Sequence, residues 1–221
     1  MIVSFAHACI FVHIPKTGGS ALAQALETVA GPDDLLIGDS PAARERRPAL
    51  RKRLRGARPA GPVWKHSRLV DIEGLVPRSE FARYHVVTIV RNPWERLASY
   101  YHWLRVQEFP HPHVALARRL GFAGFLADPG VAASFRVSPA AAYVRDGAGE
   151  EHCALWLRQE RLAEDAGRLG TLLGVALPPP GRVNVGRRPD DWRRDYGADT
   201  VARVAEICAA DIARFGYRFE G

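Results

Sequence analysis

The chain has 221 residues, 47% of them hydrophobic, and carries 31 basic against 24 acidic side chains for a formal net charge of +7. That length suits one well-buried domain, residues 1–221, and the absence of polar repeats excludes a low-complexity chain. Three scattered cysteines, Cys9, Cys153 and Cys208, exclude a disulfide framework and a zinc-finger pattern, and point to a reducing, cytoplasmic setting. No apolar run approaches the roughly 20 residues that span a bilayer, and residues 1–8 lack a basic leader, so no membrane span is expected. The positive charge admits nucleic acid, an anionic polymer or a small polyanion. Only three basic residues are lysines, Lys16, Lys52 and Lys65, so a lysine in a turn is a distinct choice of a compact, rotatable donor.

In chain order, apolar runs at 8–14, 62–65, 85–90 and 153–157 read as buried strands. Helical periodicity occupies 20–29, 94–104, 160–173 and 199–215. The alternation predicts an α/β domain with a mainly parallel central sheet flanked by helices. Segment 31–59, rich in Arg, Pro and Ala, reads as a surface insertion with a basic helix. Segment 107–140, broken by Pro110, Pro112, Pro129 and Pro139, reads as a second insertion.

The first run leads into Pro15-Lys16-Thr17-Gly18-Gly19-Ser20. In an open parallel sheet, ligands collect at the carboxyl ends of strands. Gly18 and Gly19 let backbone approach a ligand, Ser20 suits an N-cap, and the amides of the next helix favour an anion. Lys16 adds a full charge. The lysine precedes the glycines, unlike GxxxxGK[ST], which disfavours a nucleoside triphosphatase or kinase. The plain alternative is a tight strand-to-helix turn with an exposed lysine.

The third run ends in Arg91-Asn92-Pro93-Trp94-Glu95. Asn92 suits a cap, Pro93 the first helical position and Glu95 the third, and Ser99 follows about two turns in. Arg91 beside a helix start fits a phosphate clamp that Ser99 completes; a salt-bridged Arg91 and a solvated Ser99 is the plain reading. The second run places His66 at a strand end, where an imidazole takes a proton from a hydroxyl. His13 and His102 are rivals for that role. His111 and His113 flank a proline without a third ligand, so no metal site is expected.

These two segments, "FVHIPKTGGSAL" and "TIVRNPWERLASYYHWL", resemble the 5′-phosphosulfate loop and the 3′-phosphate segment of the sulfotransferases. The most similar group is the carbohydrate-type enzymes with a P-K-T-G-G-[ST] loop, such as the heparan sulfate 2-O-sulfotransferases. The resemblance spans about half the chain and leaves 31–59 and 107–148 unmatched. It implies a P-loop-like three-layer fold and 3′-phosphoadenosine 5′-phosphosulfate (PAPS) as donor, with no metal. Lys16, Thr17, Gly18, Gly19 and Ser20 would hold the phosphosulfate, and Arg91 and Ser99 the 3′-phosphate. His66 falls where relatives carry a catalytic histidine; some carry a second histidine where this chain has Trp64. The tail resembles the family's closing loop and last helix, which adds Asn184, Arg187 and Arg188 as donor contacts. The partners implied are PAPS and a hydroxyl-bearing carbohydrate acceptor. A noncatalytic nucleic-acid binder remains the other reading of the charge, although basic residues interleaved with exposed aromatics are not evident.

Overall fold

Five of the six residues from His85 to Val90 are β-branched, and Val86 through Val90 are all buried, as a strand covered on both faces requires. This strand is the centre from which the fold is built. The computed structural model describes residues 1–181, 183 and 191–220. In chain order the elements are β1 (Ile2–Ser4), β2 (Cys9–Val12), α1 (Gly19–Glu27), β3 (Leu35–Leu36), α2 (Pro41–Glu45), α3 (Arg47–Gly56) and β4 (His85–Val90). They continue with α4 (Pro93–Arg105), α5 (Pro112–Arg119), α6 (Phe122–Ala127), α7 (Pro129–Arg136) and α8 (Ala140–Tyr143). The last are β5 (Cys153–Arg158), α9 (Leu162–Leu173), α10 (Ala198–Ile207) and α11 (Ala209–Phe215). The chain forms two compact units, one of residues 1–90 and 140–183, the other of residues 91–139 with the described residues after 190. No helix among the described residues is long and apolar enough to cross a membrane.

The first unit holds the whole sheet, in the order β3-β1-β2-β4-β5. β2, β4 and β5 run parallel, with Val12 beside Thr88 and Ile89 beside Leu157. β1 pairs antiparallel with both β2 and β3, so the sheet is mixed and not purely parallel, with β1 the reversed strand. The reason is local. Ser4 and Cys9 are partners across a turn too short for a crossover helix, so the strands must run in opposite directions. Buried Asp34 holds this corner, accepting hydrogen bonds from the Ser4 hydroxyl (2.7 Å) and from the amides of Phe5 (2.7 Å), Ala6 (3.1 Å) and Gly31 (2.9 Å). The core joins Phe11, Val87, Ile89 and Leu157 of the sheet to Leu22 and Leu26 of α1 and to Ala166 and Leu169 of α9. Each such leucine contributes about 1.5–3 kcal/mol by burial.

The predicted strand at 62–65 does not form. Pro62 supplies no amide, and the fully buried Ser67 hydroxyl donates to the carbonyls of Pro62 (2.7 Å) and Trp64 (2.9 Å) while accepting from the Trp64 amide (2.8 Å). Local side-chain bonds have taken the groups a sheet ladder would use, and a turn results.

The second unit is helical. The Trp94 indole of α4 donates to the Val201 carbonyl of α10 (3.0 Å), and the Tyr196 hydroxyl donates to the Trp94 carbonyl (2.7 Å). Tyr101, Phe122 and Phe125 form an aromatic cluster between α4 and α6. The prolines of 107–140 start helices as often as they interrupt them: Pro112 and Pro129 open α5 and α7. His111, expected in a loop, caps α5 by accepting from the His113 amide (3.1 Å). The single helix expected at 199–215 is two, separated at Cys208.

Candidate active site

Beyond β2 the chain runs through the buried residues His13 and Ile14 and then turns sharply into α1. The turn needs two left-handed residues, Lys16 at φ +67° and Gly18 at φ +86°. Glycine adopts that region freely, but a lysine there costs of order 1 kcal/mol, and such strain persists where surrounding structure imposes it. Thr17 is buried, and its hydroxyl donates to the Ile14 carbonyl (2.9 Å), which fixes the loop from within. Gly18, not Ser20, is the N-cap of α1; having no side chain, it leaves the first-turn amides without a side-chain cap. Ser20 lies in the first turn, half-buried. Gly19 meets a further constraint inside the fold: a Cβ there would lie 2.2 Å from the His13 ring.

His13 links this loop to the second histidine. Its carbonyl accepts the Nδ1 proton of His66 (2.8 Å), and the two rings meet edge to face with centroids 4.6 Å apart. This bond selects the tautomer of His66: Nδ1 carries the proton, and Nε2 keeps its lone pair. Burial pushes the His66 pKa down to about 4 and that of His13 well below the usual imidazole range. Both rings are therefore neutral near pH 7. His66 does not sit at a strand end; the Ser67-held turn carries it, and this achieves the placement beside the end of β2 by another route. Trp64, half exposed, stands perpendicular to His66 with centroids 5.1 Å apart. Lys65 bonds the Asp39 carboxylate (2.7 Å), which also lies 3.9 Å from Arg47, and the Lys65 bond lowers the Asp39 pKa.

Arg91 is the first residue after β4, and β4 is the parallel neighbour of β2, so the chain leaves both strands at the same edge of the sheet. Within the second unit Arg91 is buried and pairs with Glu95 one turn along α4 (2.6 Å). Asn92 caps α4 by accepting from the Trp94 amide (3.1 Å), and Pro93 takes the first helical position, as expected. Glu95 faces Arg91 instead of completing a capping box. Ser99 is half-buried on α4. His102 is bonded to the Asp195 carboxylate (2.7 Å), which gives it a structural partner. Asn184, Arg187 and Arg188 lie outside the described residues.

Asp146, Glu150 and His152 present ligand atoms within 4.8 Å of one another. The Arg78 guanidinium lies 3.3 Å from the Asp146 carboxylate, which also accepts from the amides of Ala148 and Glu150 (2.9 Å each) and bonds His152 (3.1 Å). The group is an ion-paired loop staple.

No family model matches the chain, and no curated protein matches it at a significant level. The role of the His13 carbonyl and the ring packed on Gly19 had no counterpart in the sequence motifs. A glycine following a glycine was the only trace of that close approach.

Proposed function

We infer that the chain is a PAPS-dependent sulfotransferase, of the P-loop-like α/β kind, that moves a sulfuryl group to a hydroxyl of a carbohydrate acceptor. The observation that carries the reading is the conjunction of a strained Lys16 loop ahead of α1 with His66, whose Nδ1 is tied to the His13 carbonyl and whose Nε2 is left as a proton acceptor. A lysine, uncapped helix amides and a neutral imidazole at one strand end are the groups this chemistry uses.

In this reading the α1 amides and Lys16 hold the 5′-phosphosulfate, while Thr17 and the two glycines shape the loop. His66 Nε2 takes the proton of the acceptor hydroxyl as its oxygen bonds to sulfur. The bond between sulfur and the bridging oxygen breaks, and Lys16 neutralises the charge that grows on the departing phosphate. By the resemblance, Arg91 and Ser99 of the second unit are the residues assigned to the 3′-phosphate.

The experiment is thermal shift with 3′-phosphoadenosine 5′-phosphate, with ATP and magnesium, and with a single-stranded oligonucleotide, followed by transfer from labelled PAPS to a panel of saccharides. Stabilisation by the first ligand alone supports the reading; preference for ATP with magnesium, or salt-sensitive oligonucleotide binding, overturns it. Lys16→Ala is expected to lower turnover at saturating donor on the order of a hundredfold, as loss of a preorganised donor typically does.

A further inference from the structure

His66 acts through one atom, Nε2, and the rest of the ring is anchored. Its Nδ1 proton goes to the His13 carbonyl (2.8 Å), and the ring meets His13 at 4.6 Å and Trp64 at 5.1 Å between centroids. On one side its neighbour Lys65 bonds the Asp39 carboxylate (2.7 Å) in a pair open to solvent. On the other side stands Ser67, which belongs to no sequence motif and is completely buried.

No helix or strand covers residues 62–67, so the direction in which the backbone presents His66 depends on this turn. The Ser67 hydroxyl ties it together: it accepts from the Trp64 amide (2.8 Å) and shares its proton between the carbonyls of Pro62 (2.7 Å) and Trp64 (2.9 Å). The Ser67 amide also donates to the Trp64 carbonyl (3.1 Å). An alanine at this position would keep that backbone bond and lose every contact of the hydroxyl. It would also strand the buried groups the hydroxyl now satisfies, which favours a rearranged turn.

We propose that Ser67 is a positioning residue for His66: its hydroxyl holds the turn so that Nδ1–H meets the His13 carbonyl, and thereby keeps the ring in the tautomer whose Nε2 can accept a proton. The catalytic consequence rests on the sulfotransferase reading; the tautomer itself does not. A neutral imidazole carries one ring proton, and without an anchor that proton sits mostly on Nε2. In that form the ring offers the acceptor hydroxyl a donor in place of a lone pair and takes no proton from it. Ser67 therefore acts on turnover, through the site of protonation, and leaves donor affinity alone. The charged groups that act on the ring are Lys65, Asp39 and the Met1 amine, which donates to the Lys65 carbonyl (2.8 Å). The solvent-exposed pair of Asp39 and Lys65 contributes little to fixing the ring.

The test begins with the full wild-type chain. Long-range proton–nitrogen correlation spectra are expected to show His66 protonated at Nδ1 and bare at Nε2 near neutral pH, and the Trp64 amide is expected to exchange slowly with solvent. Ser67→Ala is expected to move His66 towards the Nε2–H form and to lower kcat for sulfate transfer about tenfold to a hundredfold, with KM for PAPS within about twofold. As the ring leaves its buried seat, the acid limb of the rate is expected to move up from about pH 5 towards 6.5. Ser67→Thr, which keeps the hydroxyl, is expected to restore tautomer and rate, and Asp39→Asn to leave the tautomer as in the wild type. Urea unfolding checks that each variant is folded, and the two wild-type measurements stand whether or not it is. An Nε2–H ring or a fast-exchanging Trp64 amide in the wild type overturns the proposal. So does Ser67→Ala with the wild-type tautomer and acid limb, a loss confined to KM, or Asp39→Asn that shifts the tautomer as far as Ser67→Ala. A wild type with the Nδ1–H ring that neither binds 3′-phosphoadenosine 5′-phosphate nor transfers sulfate sinks the sulfotransferase reading instead. Sulfate transfer unchanged in Ser67→Ala sinks only this proposal.

Discussion

His66 shows how one hydrogen bond sets chemistry. With Nδ1–H held by the His13 carbonyl, the ring presents Nε2, and burial keeps it neutral until the pH approaches about 4. Because the folded pKa lies below the usual 6.5, protonation favours the unfolded chain; the stability linked to the neutral ring is present above pH 6.5 and is lost as pH falls from there towards 4. Sulfate transfer is accordingly expected to keep its rate down to about pH 5 and to fall below it, with the NMR titration of the His66 ring following the same curve. An acid limb centred near 6.5 would show that this ring is not the base. Gly19 tests the same neighbourhood mechanically. Alanine is normally the better helix residue, yet here its methyl meets His13 at 2.2 Å, so Gly19→Ala is expected to destabilise by about 1–3 kcal/mol in urea unfolding. Combining it with His13→Ala relieves the clash; strictly additive losses would contradict this account.

At the scale of elements, α4 is defined by its start. Asn92 caps the helix through the Trp94 amide and donates from its side-chain amide to the Arg218 carbonyl (2.8 Å). Asn92→Ala is expected to cost about 1 kcal/mol or somewhat more in thermal unfolding, and Asn92→Asp, which keeps the cap but loses the donor to the Arg218 carbonyl, is expected to be destabilised as well. This start was legible in the sequence because Asn-Pro is local chemistry, and the same holds for β4, whose β-branched run marks both its ends. Other elements were not. β1 has three residues and β3 two, too short to show a period. The turn at 62–67 passes for a strand until the Ser67 hydroxyl is known to hold it, and Cys208 divides the last helix where periodicity runs on. Of the site, the Lys16 loop, the Asn92 cap and an ion-paired Arg91 could be read directly; that the partner of Arg91 is Glu95, and that His66 bonds a backbone carbonyl, depends on how the chain folds in space.

At the scale of the whole molecule, the three thiols report on packing in both units. Cys9 and Cys208 are buried, and burial raises each thiol to about 12, whereas Cys153 is partly exposed at the start of β5. A disulfide reagent at neutral pH is expected to modify Cys153 first and the other two only on unfolding; a fast phase that survives Cys153→Ser would refute this packing. The concentration of charge in residues 44–58 has a colloidal consequence. Residues 44–58 carry eight basic and one acidic side chain, a formal +7 equal to that of the whole chain, so neutralising this segment would remove the net charge that keeps copies of the chain apart. Colloidal stability at neutral pH thus depends on these fifteen residues.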